Sequence, residues 1–232
     1  MMGVRNRNGR DMVESDKPSA TAKRKAPKKG AYHHGNLRRA LLDSALAMVE
    51  KEGPRGVSLR AVARLAGVSP AAPYRHFAGK EGLLAAVAEE GFRALEAKMQ
   101  TASQETRGLA LAEFRAIGFA YVHFAASNPS HFRVMFGPEV SDKTEHSSLK
   151  ESADRASQII ADAITNCQRL GLEGGDTDPQ RLFISAWSTF HGLATLIVDG
   201  QLKSSVGSDT DLEALGNSVT DVIYRGLSFS GL

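Results

Sequence analysis

The stretch "SLRAVARLAGVSPAAPYRHFAGKE" (58–81) decides how this chain is read. Ser58 is a ready N-cap for a helix whose apolar positions, Leu59, Val62, Ala63 and Ala66, recur at helical spacing. Gly67 then supplies the left-handed residue that a tight turn between helices needs, and Val68 plugs that turn. Ser69 caps a third segment, with Pro70 at its first position, where a missing N–H costs nothing. A helix, a short turn holding a glycine and a second helix form the helix-turn-helix pattern. The third segment has little to give a core, yet it carries Tyr74, Arg75 and His76 in a row. That composition suits a helix laid in the major groove of DNA, with Pro70, Ala71, Pro73, Tyr74 and Arg75 outward and Phe77 turned inward.

Working outward, Leu37, Leu41, Ala45 and Met48 recur at helical spacing behind Asn36, a fair cap, and "EGP" (52–54) stops that helix. Beyond "FAGK" (77–80) long amphipathic helices are expected near 80–103, 106–127, 129–136, 147–170, 179–201 and 209–227. Breakers such as "SNPS", "FGPE", "LEGGDTDP" and "VGSD" separate them. Nothing alternates with period two for long enough to make a strand. The expectation is an all-α fold, a three-helix helix-turn-helix domain (32–79) followed by an acidic bundle of roughly six helices (80–232), to which the resemblance described below assigns regulation and dimerisation. Residues 1–31 read as a disordered basic arm, either simply solvated or adding salt-dependent phosphate contacts.

Charge is distributed in the same sense. The net charge of +3 hides 17 Lys and Arg against 6 Asp and Glu in residues 1–80, and 12 against 20 in the remainder. One end attracts polyanions and the other repels them. No run of 18 apolar residues marks a membrane span, and the basic N-terminus lacks the apolar core of a signal peptide. One cysteine, Cys167, excludes an internal disulfide, so a soluble, reduced, cytoplasmic protein is expected. No G-x-S-x-G, G-x-G-x-x-G, P-loop or C-x-x-C is present, which argues against an enzyme.

With these landmarks assembled, "NLRRALLDSALAMVEKEGPRGVSLRAVARLAGVSPAAPYRHFAGKEGLLAAV" (36–87) strongly resembles the N-terminal domain of tetracycline-repressor (TetR) family regulators. "WSTFHG" (187–192) and "NPSHFRVMFGPE" (128–139) resemble, more weakly, the subgroup with a Trp–His–Gly signature. The resemblance implies a bacterial homodimeric repressor that binds a palindromic operator in double-stranded DNA and leaves it when a small-molecule effector binds. Matching family positions imply base or phosphate contacts from Arg60, Ala71, Tyr74 and Lys80, with Ser58, Ser69, Arg75 and His76 completing the expected DNA-binding set. Pro73 departs from the family pattern. A proline four residues after the cap removes the first internal hydrogen bond and crowds the Ser69 carbonyl, so the helix either starts later or opens on a distorted turn.

In the C-terminal part, Phe114, Tyr121, Phe124, Phe132, Phe136 and Trp187 are the candidate effector pocket, and the same residues would serve equally as filled core. Trp187, Phe190, His191, Gly192, Leu215, Val219 and Val222 are the candidate dimer seam, with Gly192 allowing close helix approach. Histidines at 33, 34, 123, 131, 146 and 191 show no metal-ligand spacing, so neither a metal nor another cofactor is expected. Cys167 reads as a small buried hydrophobe. The competing readings are an activator or ligand-independent regulator and, from another class, a helical enzyme or carrier with a nonspecific basic tail.

Overall fold

Helical periodicity holds through nearly the whole chain, and eight α-helices with three single 3-10 turns result among the described residues. These are residues 34–140, 142–171, 178–202 and 212–228 of a computed structural model. The basic arm (1–31), His33, the side chains of His34 and Asn36, the linkers 172–177 and 203–211, and the Ile223 end of the last apolar stripe lie outside them. Helix α1 (His34–Gly56) is interrupted where "EGP" predicts, at Gly53, whose φ of 72° only glycine adopts without strain. Pro54 restarts a single turn, closed by Val57 N–H on the Pro54 carbonyl at 3.3 Å. Helix α2 (Leu59–Leu65) follows. Leu41, Leu42, Ala45 and Val49 of α1, Leu59 and Val62 of α2, and Phe77 are all buried in one core with Leu83, Leu84 and Val87 from the start of α3.

Helix α3 (Lys80–Glu105) is the spine of the molecule. Its first turns complete the N-terminal core, and its length packs against α4 (Ala110–Ser127), α5 (Pro129–Phe136) and α6 (Ser147–Arg169). Helix α4 in turn meets α6, α7 (Pro179–Val198) and α8 (Leu212–Ser228). Helix α1 also packs on α5, so the helix-turn-helix end touches the bundle through α5 as well as α3. One close approach depends on a missing side chain. A Cβ on Gly118 would fall 2.5 Å from the Phe190 ring, so this glycine lets α7 seat Phe190 against α4. The expected helix limits hold within a few residues except at α4, which begins at Ala110 rather than 106. There Gly108 (φ 89°) and the Leu109 N–H to Thr106 carbonyl bond close a turn first.

Candidate nucleic-acid interface and effector cavity

The Ser58 hydroxyl accepts the Ala61 N–H at 3.3 Å, the N-cap that the sequence anticipates. At the other end of α2, Gly67 (φ 69°) donates to the Arg64 carbonyl at 3.2 Å and Val68 to the Ala63 carbonyl at 2.9 Å, a Schellman closure. The third segment then departs from the expectation, because it forms no α-helix. The Ser69 carbonyl needs an N–H four residues on, and Pro73 has none. It takes the Ala72 N–H instead, three residues on, at 2.9 Å. The chain then tightens into a 3-10 turn, Pro73–Arg75, with the His76 and Phe77 N–H groups both on the Pro73 carbonyl at 2.9 and 3.0 Å.

Two further corrections follow from that turn. Ser69 is exposed and caps no α-helix, and Pro73 is buried rather than outward. A ring with no donor to satisfy is inexpensive to bury, and it leaves the polar neighbours outside. Tyr74 is 59% exposed, and Ser58, Arg60, Ala71 and Arg75 are exposed with it. Beneath them Phe77 is buried, with the Arg38 guanidinium 5.6 Å from its ring centroid. His76 is half-buried, its ring 6.3 Å from that of Phe77. Arg60, Arg64 and Arg75 form no ion pair among the described residues, so their charge remains open to an outside anion. Arg64 is absent from the set expected from sequence, although its place one turn after Arg60 puts it on the same side of α2. Lys80 already has a partner: its Nζ donates to the Arg55 carbonyl at 2.8 Å, tying the end of α1 to the start of α3.

The bundle contains two cavities that share Phe136. The inner one, about 180 Å³, lies between α3, α4, α5, α6 and α7 and is lined chiefly by Phe92, Leu95 and Met99, by Ala156 and Ile160, and by Tyr121, Phe136 and Trp187. The outer one, about 470 Å³, is a cleft between the end of α1, α5 and α7, running from Glu52–Arg55 past Phe132, Phe136 and His191 to Asp199. Between them the Tyr121 hydroxyl meets His191 Nδ1 at 2.9 Å. Burial pushes the Tyr121 phenol up, partly offset by a hydrogen bond from Trp187, and burial pushes the His191 imidazole down. Both groups are therefore neutral near pH 7, and the pair is a hydrogen bond rather than an ion pair.

Of the six pocket residues expected from sequence, Tyr121, Phe132, Phe136 and Trp187 line one cavity or the other. Phe114 and Phe124 line neither of these two. They are filled core, Phe114 lying 5.6 Å from Phe190, ring to ring. Among the described residues no group of three His, Cys, Asp or Glu is placed to hold a metal ion.

Residues 41–87 match the family described as bacterial regulatory proteins of the tetR family, and residues 114–222 match the tetracyclin repressor-like C-terminal domain. A protein of unknown function from Rhodococcus sp. RHA1, of solved structure, is 36% identical, with a TM-score of 0.72 over 86% of this chain and 100% of that one. The chain belongs to the TetR family. An uncharacterized HTH-type transcriptional regulator, YobS of Bacillus subtilis (strain 168), is 26% identical over 80% of this chain and 90% of its own. The fold is shared with the Bacillus subtilis regulator FadR, solved in complex with stearoyl-CoA. That match is 18% identical, with a TM-score of 0.67 over 82% of this chain and 98% of that one.

This TetR-family protein is thus a DNA-binding transcriptional regulator, and its surface has one further feature. Helix α7 is apolar, with a mean hydropathy of 1.2 over its best window, yet only 28% of that window is buried. By length and composition it could cross a membrane, but Leu182, Ala186, Phe190 and Ala194 are packed into the bundle. Around the rest of its circumference Ile184 and Leu196 are exposed, and Trp187, at the cavity edge, is partly so. Gly192 lies on that outer side, and a Cβ there would meet nothing within 4 Å. Val222 of α8 is 70% exposed. Phe190, expected in the dimer seam, is 1% exposed within the protomer and faces Gly118, so it belongs to the core.

Proposed function

We propose that the protein is a homodimeric repressor of the bacterial cytoplasm that binds a palindromic operator and is released from it by a small effector. The observation that carries this reading is the presented polar segment. Arg60, Arg64, Tyr74 and Arg75 stand outward over a buried Phe77–Pro73 floor, with no intramolecular ion pair on the three arginines. Arg60 offers a bidentate donor to guanine, Ala71 an apolar contact to a thymine methyl, and Tyr74 a hydroxyl to phosphate. Two such segments, joined through the outer faces of α7 and α8, would read two half-sites related by the dimer axis.

The inner cavity supports effector control. Its wall residue Phe136 also lines the outer cleft, which reaches Arg55 at the end of α1. Arg55 is held from both sides, by Glu139 at 3.6 Å and by Lys80 Nζ on its carbonyl. A ligand that moves Phe136 therefore acts beside the joint that sets the reading segment.

The test is selection of genomic fragments by purified protein at physiological salt, with Arg60→Ala and Lys80→Ala variants in parallel. Wild-type protein should recover an inverted repeat. Arg60→Ala should relax base preference, whereas Lys80→Ala should weaken all sequences alike. Recovery of random DNA by all three proteins, lost as salt rises, would refute specific recognition.

A further inference from the structure

We infer that the effector is a small apolar carboxylate, held in the inner cavity with its anion on Lys143. The inference rests on the reading of that cavity as the effector site. Its lining is hydrocarbon and aromatic ring apart from Tyr121, Ser157, Trp187 and Lys143. Three of these are already committed: the Tyr121 hydroxyl to His191, the Ser157 hydroxyl as donor to the Ala153 carbonyl, and Trp187 to Tyr121. Lys143 is different. It sits in the 3-10 turn Lys143–Glu145 between α5 and α6, half-buried, and makes no ion pair among the described residues.

No Asp or Glu lines the cavity to neutralise this cation. Partial desolvation holds the Lys143 ammonium below the usual lysine range, with no facing carboxylate to raise it. A carboxylate brought in by an apolar body supplies that counter-ion where the low dielectric strengthens it.

Size and charge narrow the class. An apolar cavity of about 150 Å³ takes a benzene ring, so the 180 Å³ here takes one ring or a branched chain of similar bulk. An eighteen-carbon acyl chain, three times the carbon count of benzene, needs on the order of 450 Å³ on the same scale. The outer cleft has room of that order, but it brings Glu52, Glu139 and Asp199, and its Arg55 and Arg133 are already engaged with Glu139 and the Val198 carbonyl. An anion finds less competition at Lys143.

Trp187, the single tryptophan of the chain, lines the inner cavity, so its fluorescence reports occupancy without DNA. Full-length protein is titrated at fixed concentration with phenylacetate and hexanoate, with their amides, and with stearoyl-CoA. The wild type should bind the carboxylates at least tenfold more tightly than the amides. Lys143→Met should erase that preference while leaving amide binding and the thermal melt unchanged, and Lys143→Arg should retain most of it. Equal binding of acid and amide, a preference that survives Lys143→Met, or a response to stearoyl-CoA alone overturns the inference. Retention of operator DNA is followed separately. Carboxylate binding with unchanged DNA retention would support the site and refute effector-relieved repression.

Discussion

The proposed dimer face can be tested at one residue, because the sign of the effect differs between the alternatives. Gly192 lies in the interior of α7, where glycine is about 1 kcal/mol less favourable than alanine. Within the protomer an added Cβ meets no atom within 4 Å, so no steric cost opposes that gain. If α7 faced only water, Gly192→Ala would stabilise the protein by about 1 kcal/mol, or roughly 2–4 °C in Tm at this chain length. If a second copy crosses α7 there, the added methyl overpacks the crossing at a cost of about 1–3 kcal/mol. In an isologous interface both copies carry the change. The expected outcome is a dimer dissociation constant raised at least tenfold by Gly192→Ala, and monomers with Gly192→Leu. Sedimentation velocity over a dilution series measures the constant, and melts at two protein concentrations check the fold. A more stable Gly192→Ala protein with an unchanged dissociation constant, together with a dimeric Gly192→Leu protein, would refute the close crossing at this face.

Two other consequences can be measured directly. Pro73→Ala returns an N–H to the position facing the Ser69 carbonyl, so residues 70–76 should close into an α-helical turn in which the new residue-73 amide exchanges more slowly than a free peptide amide. Base selection opposite Ala71 should shift with it, and an unprotected residue-73 amide with unchanged selection would show that Pro73 does not shape the proposed reading segment. The pH dependence of stability has a definite sign. His131 and His191 are both lowered by burial, so their contribution is fully present above about pH 6.5, the unfolded value, and is lost as pH falls toward the lowered folded values. Both rings are partly exposed, so solvent screening keeps each slope well below the roughly 1.4 kcal/mol per pH unit of a fully buried group. Urea midpoints should therefore drop between pH 7.5 and 5.5, and less so in His191→Gln. A wild-type midpoint indifferent to pH would contradict neutral burial of these rings.

Local chemistry by itself determined the all-α class, most of the helix limits and the helix-turn-helix. Ser58 caps, Gly67 turns and Gly53 breaks wherever they stand in space, because capping, positive φ and periodicity act over one or two turns. The exposure of the proposed contact residues was legible for the same reason: Arg60, Ala71, Tyr74 and Arg75 are exposed as expected. Even the fault in the third helix was visible as Pro73, although sequence could not choose between a later start and a distorted turn.

Tertiary structure alone decided the rest. Helical phase places a side chain on a face without saying what stands opposite. Phe114 and Phe124 could not be told from Tyr121 and Trp187 until α4 met α7 and α6. The inner cavity is space left by five helices, so Phe92, Met99 and Ile160 carried no mark of it, and Lys143 looked like any surface lysine. Phe190 is core only because Gly118, 72 positions earlier, leaves room for its ring. Gly192, two residues further on, faces outward. The physical reason is range: hydrogen-bonded caps and turns are written within a few residues, whereas packing and cavities depend on distant segments meeting, a relation no single stretch contains.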